Sequence, residues 1–169
     1  MTTIKSPNSA ANFTRATPGQ YLTFVLNSQM YGVPISAIRE INRVTEITPV
    51  PQTPIYYAGV MNLRGKVISV VDLRLKFHLN SSAHTRQTCI IVIEGNDNQV
   101  GMIVDSISGV IDLTDGQIEV PPTMGKEDPA SYVTGMGKLE DSVLILLDIV
   151  KCLSQEEDGP NLAEFKLAS

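Results

Sequence analysis

The chain spells one structural phrase twice. Val67-Ile68-Ser69-Val70-Val71-Asp72-Leu73 aligns with Val143-Leu144-Ile145-Leu146-Leu147-Asp148-Ile149 at an offset of 76 residues. Each run lies in a longer stretch, Gly59–Phe77 and Gly135–Leu153, that reads as strand, tight turn, apolar strand, Asp and amphipathic tail. Further upstream, Gly32-Val33 matches Gly101-Met102 at an offset of 69, with Ile38 against Ile107 and Ile41 against Val110. Such repetition points to two copies of one small fold. In 169 residues each copy has roughly 65, a size that is marginal alone and gains from packing against its twin. The copies differ at one turn. The first has Asn62-Leu63-Arg64-Gly65, and the second has Leu139-Glu140-Asp141-Ser142. Shared residues report the fold, so function is expected where the copies diverge.

Strand and turn signals fill in the rest. Tyr21–Leu26 and Met30–Val33 read as a hairpin across Asn27-Ser28-Gln29. Pro34 suits the first turn of a short helix over Ile35–Glu40, with Ile35, Ile38 and Ile41 on one face. Arg43–Ile47 reads as a strand stopped by Pro49-Val50-Pro51, and Ile55–Ala58 as one helical turn. Val60–Leu63 and Lys66–Asp72 form a hairpin in which Gly65 supplies the positive φ. A short helix over Leu73–Leu79 leads to a polar boundary at Asn80–Arg86. Thr88–Ile93 is almost wholly apolar, as in a strand buried on both faces. After the tip at Glu94–Gln99 come strands over Val100–Ser106, Gly109–Leu113 and Gln117–Val120. Thr123–Ala130 is a loop, and Tyr132–Leu139 with Val143–Leu147 closes the second copy. Asp148 caps a last helix, Ile149–Leu153.

Short strands every 8–12 residues, punctuated by Gly and Pro, indicate small closed barrels. The fold class is therefore all-β with short helices: two β-barrels of about five strands each, packed side by side. Residues 1–18 form a polar arm expected to be disordered. The folded region covers 19–153, with a first copy at about 20–80 and a second at about 87–153, and 154–169 is a tail.

Much chemistry is missing. The net charge of −5 repels nucleic acid and anionic lipid, so neither is expected as a partner. The polar N-terminus lacks the apolar core of a signal peptide. The most apolar segment, Val143–Leu153, is interrupted by Asp148 and Lys151 and falls short of the ~20 residues of a span. A cytoplasmic protein is expected. Cys89 and Cys152 fit neither a disulfide framework nor a zinc pattern and read as reduced core residues. No phosphate-binding loop, HExxH or GxSxG occurs. His78 and His84 lie in the polar linker, and Asp105, Asp112, Asp115 and Glu119 fit no calcium loop. Asp72 and Asp148 recur, which marks them as structural caps. No enzyme, cofactor or metal is expected. What remains is recognition by a surface, centred on Arg64 at a hairpin tip. Arg offers a planar fork of donors, and interfaces are enriched in it.

The segments YGVPISAIREI, GVMNLRGKVISVVDLR and QVGMIVDSISGVIDL resemble the CheW family of chemotaxis coupling proteins, over about Tyr21 to Leu153. The resemblance implies two SH3-like five-stranded barrels around a shared groove. In that family the first strand can associate with the other barrel, so sequence halves need not equal structural halves. It implies an adaptor that binds the regulatory domain of the histidine kinase CheA and the cytoplasmic tip of methyl-accepting chemoreceptors. Arrays of these would place it at the inner face of the membrane. Carried over residue by residue, the receptor-side groove comprises Ile38, Glu40, Asn62, Leu63, Arg64, Gly65 and Cys89. Cys89 stands where an aliphatic residue is usual. Other readings are a CheW-like adaptor of another chemosensory pathway, such as a pilus-linked one, and a small-ligand-binding double barrel. The Met1 start and polar tail read as a complete chain, without the receiver domain of a CheV-type adaptor.

Overall fold

The computed structural model describes residues 16–94, 98–120 and 133–154. The strands are β1 (Gly19–Leu26), β2 (Gln29–Pro34), β3 (Ile38–Arg43), β4 (Tyr57–Leu63), β5 (Lys66–Asp72), β6 (Cys89–Glu94), β7 (Gln99–Val104), β8 (Ser106–Leu113), β9 (Ile118–Glu119), β10 (Val133–Lys138) and β11 (Val143–Leu147). Two short helices follow the repeated Asp residues: α1 (Leu73–Lys76) and α2 (Ile149–Ser154). Asp72 Oδ1 accepts from the Arg74 amide at 3.0 Å, and Asp148 Oδ1 from the Lys151 amide at 3.1 Å. Both carboxylates thus satisfy amides that a helix start leaves without partners.

Two sheets result, one six-stranded in the order β8-β1-β2-β11-β10-β9 and one five-stranded in the order β3-β6-β7-β5-β4. Each draws on both sequence copies. The β1–β2 hairpin joins strands of the second copy, and the β6–β7 hairpin joins strands of the first. The joins are equivalent: β2 runs parallel to β11, with Gly32 beside Leu146, and β7 runs parallel to β5, with Gly101 beside Val70. This explains the recurring glycine. A Cβ on Gly101 would lie 2.8 Å from Ile90 Cγ2, and one on Gly32 would lie 3.2 Å from the Leu144 and Leu146 side chains.

Three apolar clusters follow from strands with two covered faces. Tyr21, Leu113, Ile118, Leu144 and Leu146 fill the six-stranded barrel. Met61, Ile68, Val70, Ile90, Val92 and Ile103 fill the five-stranded one. The largest cluster lies between the barrels and takes Phe24, Leu26 and Leu147 from one sheet and Val71, Ile91, Ile93, Met102 and Val104 from the other. Alternate residues of β6 serve different clusters, so its sequence shows no polar face.

Several local expectations are corrected. The expected helix over Ile35–Glu40 is only a 3-10 turn, Ile35–Ala37, after which Ile38 enters β3. Pairing of β3 with β6 overrides the three-residue spacing of its isoleucines, and Ile41 faces outward, 42% exposed. β3 ends at Arg43, and Val44 and Ile47 pack singly on the five-stranded core. The turn expected over Ile55–Ala58 is confined to Ile55 and Tyr56, closed by the Tyr57 amide donating to the Pro54 carbonyl at 3.0 Å, because Tyr57 already begins β4. The helix expected to reach Leu79 stops at Lys76. There His78 takes φ +63°, and the His78 and Leu79 amides donate back to Leu75 and Arg74, a Schellman stop without glycine. Ser106–Leu113 is one strand, with a register shift opposite Thr23/Phe24 near Gly109. Cys152 is buried, but Cys89 is only half-buried. The arm before Ala16, the tip residues 95–97, the loop 121–132 and the tail from 155 lie outside the described residues.

Candidate functional site

The divergent turn is a two-residue hairpin loop between β4 and β5. Arg64 has φ +52° and Gly65 φ +87°, the handedness that matches strand twist. Asn62 Oδ1 accepts from the Gly65 amide at 2.8 Å and fixes the loop from within. Only glycine takes the second position without strain. A Cβ there would meet nothing within 4 Å, so conformation rather than space selects it.

Arg64 reaches Glu40 on β3, and its Nη2 donates to Glu40 Oε2. β3 and β4 are the two ends of the five-stranded sheet, so this pair crosses the seam where the barrel closes. Farther along the seam, the Thr48 and Val60 amides exchange hydrogen bonds of 2.8 and 2.9 Å. The hydrogen bond from Arg64 holds the Glu40 carboxyl below the ordinary carboxylate range, and Glu40 raises the Arg64 guanidinium in turn. Arg64 keeps 69% of its side chain exposed, so water screens the pair. Its main effect is to fix where the guanidinium sits rather than to stabilise the fold.

The seven sequence-derived site residues fall into three groups. Asn62, Arg64, Gly65 and Glu40 come together at the hairpin tip. Leu63 is half-buried and packs on the five-stranded core. Ile38 and Cys89 pack from the side on the cluster between the barrels. They sit toward opposite ends of the β3–β6 ladder, Ile38 opposite Ile93 and Cys89 opposite Arg43. The Cys89 thiol donates to the Gln87 carbonyl at 3.2 Å.

Sequence reasoning missed the cleft beside the tip. Thr45, Glu46, Thr48, Val60, Met61, Asn62 and Val67 line an open cleft of about 330 Å³ along the seam, and Val67 is 48% exposed at its rim. No local signal marks these residues, because residues 45–48 and β4 meet only when the barrel closes.

Charge is divided between the barrels. Residues 38–104, which supply the five-stranded sheet, hold seven Lys and Arg against five Asp and Glu, a net of +2. Residues 16–37 and 105–154, which supply the six-stranded one, hold three against nine, a net of −6. Arg39, Arg43, Arg64 and Lys66 are exposed on the first, and Asp112, Asp115, Glu119, Glu140 and Asp141 on the second. Among the described residues no group of three or more His, Cys, Asp or Glu could hold a metal ion, and no helix is long and apolar enough to cross a membrane.

Comparison with known proteins gives a consistent answer. The chain is 38% identical over 138 residues to the chemotaxis protein CheW of Klebsiella aerogenes, covering 82% of this chain and 83% of that protein. It is 32% identical to the CheW of Treponema pallidum, covering 82% and 84%. The crystal structure of the scaffolding protein TtCheW from Thermoanaerobacter tengcongensis superposes with a TM-score of 0.74 at 31% identity, covering 83% of this chain and 95% of that one. The profile of the CheW-like domain matches residues 20–157, and the chain belongs to the CheW family.

Proposed function

We propose that this chemotaxis scaffold couples the cytoplasmic tip of a methyl-accepting receptor to the regulatory domain of a CheA-type histidine kinase, with Arg64 on the receptor side. The observation that carries the reading is the Arg64 tip. It is exposed, held in place by Glu40 and Asn62, and found in one barrel only. A fold built twice does not need it, since the other copy makes the same connection with Leu139-Glu140-Asp141-Ser142. The divided charge supports the same reading, because an adaptor must offer unlike surfaces to unlike partners. A helical receptor tip would lay apolar residues along Ile38 and Cys89 while the guanidinium engages a polar group. A buried Arg anchor in such an interface is typically worth ~2 kcal/mol or more, and an array multiplies modest contacts by avidity. Work at the receptor tips would hold the protein at the inner face of the membrane.

Calorimetric titration with the kinase regulatory domain, then with a receptor-tip fragment, tests this. Micromolar or tighter binding to each is expected. Arg64→Glu should keep the fold and the kinase affinity while weakening the receptor complex. Unchanged receptor affinity in a folded Arg64→Glu protein removes Arg64 from the site, and no binding of either partner by the unmodified protein sinks the coupling role.

A further inference from the structure

Among the described residues the chain passes from one sheet to the other at two points. One is the 3-10 turn between β2 and β3. The other is a single residue, Asp105, between β7 and β8. A one-residue crossing is a natural pivot, yet here it is held from three sides. Arg74, in α1 of the five-stranded barrel, donates from Nε to Asp105 Oδ1 and from Nη2 to Oδ2, both at 2.8 Å. The Asn27 amide, in the β1–β2 turn of the six-stranded barrel, donates to Asp105 Oδ2 at 2.9 Å. The Asp105 amide donates to the Val25 carbonyl at 3.0 Å. Arg74 is itself anchored, because its Nη1 donates to the Asn80 carbonyl at 3.0 Å and its amide to Asp72. With 16% and 30% of their side chains exposed, the partners are shielded far better than Arg64. The paired fork also fixes direction as well as distance.

The repeat shows that the fold does not require this pair. The offset of 69 puts Ser36 opposite Asp105, and the offset of 76 puts Val150 opposite Arg74. The helix-capping Asp recurs in both copies, but neither member of the ion pair does. The other crossing therefore lacks it and still forms.

We infer that Arg74 and Asp105 form a clamp that sets the angle between the barrels and so shapes for its partner the edge of the inter-barrel cluster, where Ile38 and Cys89 pack. The second half of this rests on the function proposed above. Arg74 is a positioning residue, since it acts through the orientation of the barrels and lies at the crossing rather than at the tip.

Residual dipolar couplings of backbone amides in the full-length chain read the orientation of each barrel separately. Couplings from both sheets of the unmodified protein should fit one alignment frame. In Arg74→Gln each sheet should still fit a frame of its own, but the two should no longer coincide. Arg74→Lys should behave likewise, because a point charge cannot reproduce the fork. Titration with a receptor-tip fragment should show affinity lower by roughly fivefold or more, the usual lower range of coupling between sites. A single shared frame in Arg74→Gln overturns the clamp. Separated frames with unchanged receptor affinity overturn the positioning role. Should the unmodified protein not bind the tip at all, the function proposed above fails, while the couplings still decide the clamp. If Arg74→Gln does not fold, Asp105→Asn replaces it in the same measurement.

Discussion

Gly59→Ala should open the seam that carries the candidate site. Gly59 sits at a register shift in β4, with φ +142°. A Cβ there would lie 2.1 Å from the Thr48 carbonyl oxygen, 2.7 Å from its carbon and 3.0 Å from Pro49 Cα. All three are backbone atoms, so no change of rotamer relieves the clash. The segment around Thr48 has to move away, breaking its two hydrogen bonds with Val60. Each is worth ~0.5–1.5 kcal/mol net, and a positive φ costs a residue with a Cβ a further ~1–2 kcal/mol. The expected loss is about 2–5 kcal/mol, or a fall in Tm on the order of 10 °C for a chain of this size. Urea denaturation followed by circular dichroism measures the energy. Amide exchange locates it: Val60 should lose protection while β6 and β7 keep theirs. A Gly59→Ala protein within ~1 kcal/mol of the parent, with Val60 still protected, would refute the steric argument. Gly65→Ala is the control. It has a positive φ but nothing within 4 Å, so it should cost only ~1 kcal/mol.

Other expectations follow from the same geometry. Phe24 is fully buried between the barrels and stacks on Tyr31 with centroids 5.9 Å apart, so Phe24→Ala should cost ~3–5 kcal/mol in urea denaturation; a loss below ~1 kcal/mol contradicts a shared core. Gly101→Ala should cost more than Gly32→Ala, with ~1–3 kcal/mol for the former. Its new methyl meets a β-branched Ile90 that cannot rotate away, whereas the leucines near Gly32 can, so equal or reversed losses contradict the account. Hydrogen bonds from Arg74 lower the Asp105 pKa in the folded state. That stabilisation is present above the unfolded carboxylate pKa, roughly 4, and fades as pH falls through the folded value. Tm measured from pH 7 down to pH 2 should therefore fall less steeply below about pH 4 in Asp105→Asn than in the parent, and parallel curves speak against a native-state role for that carboxylate.

What could be read from the sequence was local. Gly65 announced the hairpin at Arg64-Gly65 because a positive-φ glycine acts within the turn itself. Asp72 and Asp148 announced their caps just as locally. The failures came from longer range. Ile35, Ile38 and Ile41 fit one face of a helix, and nothing in that segment says that β6 waits fifty residues on to pair with it. The meeting of residues 45–48 with β4, which makes the cleft, depends on barrel closure, as does the reach of Arg64 to Glu40. Arg74 and Asp105 are separated by 31 residues, and their only trace in the sequence is a negative one: each stands at a place where the repeat does not repeat.

The exchange of hairpins bears on what a scaffold must do. Had each copy folded into its own barrel, the two would be joined by a linker and free to tumble, and a partner on one would be felt weakly at the other. Here β1 and β2 complete a barrel made largely by the second copy, and β6 and β7 complete the other. The apolar cluster between the barrels is built from both sheets, so separating them would expose the largest core in the molecule. The two barrels of opposite net charge are therefore joined through one shared core. A small chain gains in this way what usually takes a large interface, two unlike surfaces at a fixed spacing. At the single-residue crossing between β7 and β8, the Arg74 fork on Asp105 adds a directional tie to that shared core.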